Sequence, residues 1–301
     1  MKKIIIHGGC GAREDRNAKF RDYHDHLMVI IDKVYDHLDR LDDAIETAVF
    51  AAMLLEDDPL FNAGTGAKLQ QDGKIRLSAS IMDSQHNKFA GVINVENIQN
   101  PSQMARLLLH QHNSVLCGEK ASDYAHQVLK LPFYDPMTAH RLEEYKALKE
   151  GYTGTIGVVA LDSHGHICAI TSTGGAGFEL PGRVGDSPTV AGNFASSLMG
   201  ISCTGIGEHI VNKAVAAKIH TRVADGMPLD KAVAKSIDES NADADYVGLI
   251  ALDYHGNIVT GSTKIAQTLY AYADQDRKVS FYRSENSPKF WHCCYGHGIK
   301  G

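Results

Sequence analysis

Threonines beside glycines gather in the middle of this chain: Thr153-Gly154-Thr155, Thr171-Ser172-Thr173-Gly174-Gly175 and Ser202-Cys203-Thr204-Gly205-Ile206-Gly207-Glu208. Between the last two lies Pro181-Gly182-Arg183-Val184-Gly185-Asp186-Ser187-Pro188. A threonine hydroxyl is a poor nucleophile unless a base takes its proton. Arg grips a carboxylate bidentately and Asp accepts from an ammonium group. Arg183 and Asp186, three residues apart on a glycine-containing loop, therefore suit the two charged groups of a free amino-acid end. As a bare pattern, Arg-x-x-Asp is more often a surface ion pair. Thr204 and Gly205 precede a helix expected near Glu208, whose free N–H groups would stabilise the negative charge of an acyl-transfer intermediate. A plain Thr N-cap is compatible with that role. Taken singly, a Thr-Gly pair is usually a strand end or a helix cap.

Other chemistries leave no trace. The sequence has no G-x-S-x-G elbow, no Walker A loop, no G-x-G-x-x-G after a strand and no H-E-x-x-H. His292, Cys293, Cys294 and His297 invite a soft-metal reading but lack C-x-x-C spacing; an ordinary or frayed terminus is expected there.

The elements that must position these residues are legible from periodicity. Lys2 to Ile6 reads as a short buried strand stopped by the glycine loop His7 to Gly11. From about Asp15 to Asp57 the chain is helical, with one stripe of Leu27, Ile30, Ile31, Val34 and Leu38 and a second of Ala44, Ala48, Ala51, Ala52 and Leu55. Strands follow at 75–82 and 90–95. Asn100-Pro101 starts a helix with Met104, Leu107 and Leu108 inward, and another runs from Ser122 to Leu129. The charged stretch 140–151 is a solvated helix or a linker. At Thr155 the composition turns abruptly to strand.

The second half holds an internal repeat. IGVVALDSHGHI (156–167) and VGLIALDYHGNI (247–258) share Gly, Ala-Leu-Asp, His-Gly and Ile at one spacing, each predicting a β-hairpin around a tight turn. Helices are expected at 208–224 and 229–240, and the whole reads as a layered α/β/β/α sandwich. The copies differ just upstream: Gly154-Thr155 before the first, Asp245-Tyr246 before the second. Chemistry at that strand start would belong to the first copy alone.

At 301 residues, with 44% apolar and 22% charged, the chain fills a globular core and wholesale disorder is excluded. Thirty Lys+Arg against 36 Asp+Glu give −6, against a nucleic-acid-binding face. No apolar run reaches a membrane span; Ala48 to Leu55 is the best. The start MKKIIIHGG is too short for a signal-peptide core, and six cysteines are too sparse for a disulfide framework. The expectation is a cytoplasmic protein acting on a small molecule.

Taken together the motifs resemble the plant-type asparaginase (isoaspartyl peptidase) family of N-terminal-nucleophile hydrolases. The matching stretches are HGG (7–9), EDDPLFNAGTGA (56–67), SIMD (80–83), GTIGVVALD (154–162), TSTGG (171–175), PGRVGDSP (181–188) and SCTGIGE (202–208), nearly the whole chain in the family's order. The resemblance implies an α/β protein with a four-layer αββα sandwich. It also implies one domain that cuts itself between Gly154 and Thr155 into chains 1–154 and 155–301. Cut there, Thr155 would carry an α-amino group of pKa roughly 7.7–8.0 beside its own hydroxyl and supply its own base. Gly154, lacking Cβ, would tolerate strain at that bond.

The resemblance further assigns Thr173 to tuning the nucleophile, and Thr204 and Gly205 to the oxyanion hole. Arg183, Asp186, Gly207 and Asn62 would serve substrate binding. No catalytic cofactor is implied. A sodium ion would sit on the backbone carbonyls of Leu55, Glu56, Asp58, Phe61, Ala63 and Thr65, and cleaved units would pair as a homodimer. The activity implied is hydrolysis of L-asparagine and β-aspartyl (isoaspartyl) dipeptides. A glycosylasparaginase would carry an aspartate where Gly154 stands and T-S-T-N-G at 171–175; a non-hydrolytic amino-acid binder would keep Arg183 and Asp186 without maturing. The sequence departs from the family at Cys10, Ser78, Glu179 and the stretch 241–247; the last puts substrate preference in doubt.

Overall fold

In the computed structural model, which describes residues 1–12, 18–147 and 154–282, strands of both halves of the chain interleave in one sheet. The elements are β1 (Lys3–Ala12), α1 (Ala18–Leu41), α2 (Ala44–Asp57), β2 (Leu77–Asp83), β3 (Lys88–Val95), α3 (Pro101–Leu108), β4 (Val115–Cys117), α4 (Gly118–Gln127) and α5 (Ala139–Lys146). The second half supplies β5 (Ile156–Leu161), β6 (Ile167–Thr173), β7 (Asn193–Ala195), β8 (Met199–Gly205), α6 (Gly207–Lys213), α7 (Val215–Ala224) and α8 (Leu229–Ala242). It ends with β9 (Val247–Asp253), β10 (Ile258–Ser262), β11 (Ala266–Ala273) and β12 (Lys278–Ser280). The large sheet runs β12-β11-β1-β5-β6-β2-β3-β4 and the small one β10-β9-β8-β7.

Three apolar interlayers make this a four-layer αββα sandwich. Alternate residues of one strand enter different interlayers, which is why the strands read as unbroken apolar runs. Ile4 and Ile6 of β1 face the helices with Leu27, Ile31 and Leu55, whereas Ile5 faces the small sheet. In β5, Ile156 and Val158 go one way and Val159 and Leu161 the other. Leu249 of β9 packs with Val215, Ile219 and Val233 of α7 and α8, while Ile250 and Leu252 close the middle layer. Each such fully buried aliphatic side chain contributes about 1.5–3 kcal/mol.

Several expectations need correction. The strand at the start does not stop at Ile6: β1 runs through the glycines to Ala12, with a bulge between His7 and Cys10 that absorbs them. Leu107 is 42% exposed, and Leu109, two residues on, is buried instead. The helical run to Asp57 is broken at Asp42 (φ 53), where Asp43 caps α2 through Glu46 N. The helix after Glu208 breaks at Ala214, held at φ 48. Thr204 is not an N-cap: β8 extends to Gly205 and Ile206 occupies that position. The tail with His292, Cys293, Cys294 and His297, and part of the charged stretch before Thr155, lie outside the described residues. Among the described residues no helix is long and apolar enough to cross a membrane.

Candidate active site

The start of β5 opens into a cavity of about 760 Å³ lined by Gly154, Thr155, Asn62, Gly175, Arg183 and Gly205, among others. Thr155 is 8% exposed, and its Oγ1 donates to Thr173 Oγ1 at 3.3 Å. Thr173, at the end of neighbouring β6, also accepts from Gly175 N at 3.1 Å. Pairing of Ile156 with Ser172 sets these two strand ends side by side.

Asn62 fastens the loop after α2 to this corner. Its Nδ2 donates to Gly175 O at 2.6 Å, its Oδ1 accepts from Lys68 N at 2.8 Å, and its carbonyl accepts from Gly174 N at 2.9 Å. A Cβ on Gly154 would lie 2.2 Å from Asn62 Nδ2, so a glycine before Thr155 is required by close approach. Gly157 is required likewise, since a Cβ there would meet Ser202 Oγ at 2.0 Å and His7 Nε2 at 2.2 Å.

Arg183 and Asp186 lie beside one another, both within reach of Gly207. Arg183 donates through Nε and Nη2 to Glu208 at 2.8 and 2.7 Å. Asp186 is buried, with Oδ2 taking no hydrogen bond among the described residues. Burial pushes its carboxyl up to about 7, against its own backbone hydrogen bond and the nearby Arg183 charge, which pull downward. A Cβ on Gly207 would meet Arg183 Nη2 at 2.6 Å and Asp186 Oδ1 at 3.1 Å, so this glycine makes room for the pair. Gly205 lines the cavity at φ 138, pressed against Tyr246 O, and the adjoining Thr204 is 1% exposed.

Three side chains have roles that the sequence does not assign them. His7 lies under the site, its Nε2 2.9 Å from Ser202 Oγ; burial pushes the imidazole down to about 3, with the Thr155 backbone acting the other way, so it is neutral at pH 7. Glu208, visible only as the last letter of SCTGIGE, is the partner of Arg183. Glu56 is fully buried and accepts from Ser102 N, Ser102 Oγ and Ser172 Oγ at 3.0, 2.7 and 2.7 Å, tying α2, α3 and β6 behind the site. Burial pushes its carboxyl up to about 7, with those hydrogen bonds acting the other way.

Four layers, with a threonine at the cavity end of a central strand, define the fold of the N-terminal-nucleophile hydrolases. The description of the asparaginase family matches residues 1–153 and 143–282, and the chain belongs to that family of hydrolases. It is 43% identical over 280 residues to an isoaspartyl peptidase/L-asparaginase of Synechocystis, covering 87% of this chain and 84% of the relative. A Nostoc protein of the same description is 40% identical, with 87% and 88% covered. The isoaspartyl peptidase of Escherichia coli is 34% identical, with 94% and 96% covered.

Proposed function

We propose that this protein cleaves the side-chain amide of L-asparagine and of β-aspartyl dipeptides, after cutting itself between Gly154 and Thr155. The observation that carries the reading is a buried threonine hydroxyl, bonded to Thr173, in the same cavity as an arginine and against a glycine that permits no Cβ. Thr155 Oγ attacks the amide carbon and its proton passes to the Thr155 α-amine. The resulting oxyanion is held by Gly205 N–H and the Thr204 hydroxyl. As the C–N bond breaks, the amine returns the proton to the leaving nitrogen, which departs as ammonia or an amino acid. Water then cleaves the ester with the same amine as base. The substrate carboxylate takes Arg183, using Nη1 and displacing Glu208, whose side chain is 57% exposed. The substrate ammonium takes the unpartnered Asp186 oxygen, returning that carboxyl toward its ionised form.

The loop bearing Asn62 has the donors for a hard cation. Pro59 lacks the N–H that would bond Leu55 O in α2, and the carbonyls of Glu56 and Asp58 each take one N–H, from Thr65 and Phe61, and keep a second lone pair. A sodium ion on Leu55, Glu56, Asp58, Phe61, Ala63 and Thr65 would stiffen the loop that holds Asn62. The same reading has two cleaved units pairing as a dimer in the cytoplasm. Intact mass and a peptide assay test the core of the proposal. Chains 1–154 and 155–301 are expected, with β-Asp-Leu hydrolysed and α-Asp-Leu untouched, because the α-linked isomer has no free carboxylate for Arg183. A single chain of full mass, or equal cleavage of both isomers, would refute it.

A further inference from the structure

The described residues around the cavity that holds Thr155 carry more negative than positive charge. Among the described residues its lining includes one cation, Arg183, and two carboxylates, Glu179 and Glu208, with Asp186 buried behind Arg183. Glu208 is matched by its bidentate bond to Arg183. Glu179 is not matched. Its Oε2 is shielded from solvent and takes no hydrogen bond among the described residues, and its Oε1 receives only a long bond, 3.4 Å, from Gln70 Nε2. The backbone pins it in place: Gln71 N donates to Glu179 O at 3.1 Å and Phe178 N to Leu69 O at 2.9 Å. A Cβ on Gly175 would lie 1.8 Å from Glu179 Oε1, so the carboxylate rests against the residue whose N–H donates to Thr173. Lys68, whose stem packs at Gly177, is outside the lining and acts on Glu144.

An aspartyl unit seated on Arg183 and Asp186 brings one carboxylate and one ammonium, so it leaves the net charge unchanged, and the Glu208 side chain that it displaces, 57% exposed, turns out to water where its charge is screened. Whatever is bonded to the aspartyl side-chain carbonyl then meets the surplus negative charge of Glu179 in a partly desolvated space, where screening is weak. We infer that Glu179 selects the leaving group, favouring β-aspartyl substrates whose leaving amino acid has a positively charged side chain and disfavouring acidic ones. The inference rests on the amidohydrolase reading above.

The test compares β-Asp-Lys, β-Asp-Gln and β-Asp-Glu, each joined through the α-amine, so that every leaving group has the same α-carboxylate. The wild-type enzyme is expected to show kcat/KM about tenfold higher for β-Asp-Lys than for β-Asp-Gln, and about tenfold lower for β-Asp-Glu, each step corresponding to about 1.4 kcal/mol. Glu179→Gln should collapse that spread and Glu179→Lys should invert it. Should neither variant fold, the wild-type spread must still shrink between about 0.02 and 0.5 M salt. Equal kcat/KM for the three dipeptides, a spread unchanged in Glu179→Gln, or a spread indifferent to salt overturns Glu179 as selector and leaves the amidohydrolase reading standing. Failure to cleave any of the three overturns both.

Discussion

The two hairpins β5-β6 and β9-β10 are one device used twice with different consequences. In each, an aspartate at the end of the first strand folds the turn. Asp162 Oδ1 accepts from His164 N and His166 N, both at 2.9 Å, and Asp253 Oδ1 accepts from His255 N and Asn257 N at 3.0 and 2.8 Å. A glycine with positive φ follows in both, Gly165 at 85° and Gly256 at 79°. At the opposite end the copies part. β5 is preceded by Thr155 in the cavity, whereas β9 is preceded by Tyr246, whose OH donates to Cys10 O, and by Asp245, which pairs with Lys213 and His209. The connections that follow also differ: β6 leads into the loop with Arg183 and Asp186, and β10 reaches β11 within three residues. The hairpin is scaffold, and function depends on what is attached at its open end.

The sharpest way to break that comparison is Thr155→Ala. Without the hydroxyl the chain should stay at full mass and hydrolyse nothing, while retaining its fold; a processed Thr155→Ala protein, seen by mass spectrometry, would place the chemistry elsewhere. Next in size is Arg183→Ala, on the loop that only the first hairpin carries. Losing the carboxylate grip should lower kcat/KM for β-Asp-Leu by about 2–5 kcal/mol, chiefly through KM, with self-cleavage retained because the scissile peptide presents no such carboxylate. Unaltered KM would remove Arg183 from substrate binding.

Asp186→Asn separates stability from function on the same loop. The folded state raises this carboxyl from 3.8 to about 7, so it binds its proton more tightly than the unfolded chain does. The stability this confers is present below the unfolded value and is lost as pH rises through the folded one. Asparagine cannot ionise, so the variant should melt about 3–6 °C above wild type at pH 8, show no such gain at pH 4, and be inactive. A gain of equal size at both pH values would mean that charge burial is not its source.

The turn aspartates bear on the shared part of the device. Asp162→Ala and Asp253→Ala should each destabilise by about 1–3 kcal/mol, because each removes the acceptor of two half-buried hydrogen bonds that fold the turn. Asp162→Ala should cost more, since Asp162 Oδ2 also accepts from Ala44 N at the start of α2, at 3.4 Å. Activity per folded molecule should survive both. Denaturant melts paired with active-site titration would show it, and a loss of kcat confined to Asp162→Ala would mean that the turn end communicates with Thr155.

Much of this was legible because repeats, periodicity and motifs are local. Ala-Leu-Asp-x-His-Gly gave both hairpins, the stripes on α1 and α2 are all buried, and Pro101 starts α3. What was illegible depended on partners distant in sequence. The glycines after Ile6 signal a loop, as small residues usually do, yet here Gly8 lies against Phe61 and Gly9 against Gly154 within a continuous strand. Ala214 gives no hint of its left-handed turn, as alanine is the best of helix formers. Arg183 and Asp186 were recognisable as types, but Glu208 as the occupant of Arg183 and Glu56 as a tie among three elements arise only when the chain is folded.

The smallest expected effect concerns the counterpart of Thr155 in the second copy. Tyr246 is 6% exposed, and its OH donates to Cys10 O at 3.3 Å, long for a hydroxyl bond. Its ring packs with Cys10 and Ala266, and its carbonyl accepts from Ile206 N at 3.0 Å, behind the Gly205 wall of the cavity. Tyr246→Phe keeps the ring and the backbone and deletes one weak bond, so it should destabilise by about 0.5–1 kcal/mol. The backbone path to Gly205 is untouched, so kcat and KM for β-Asp-Leu should match wild type. If instead kcat falls tenfold with Tm unchanged, the Tyr246 hydroxyl takes part in shaping the oxyanion wall. The second hairpin would then contribute chemistry at its own open end, and the division of labour between the two copies would fail.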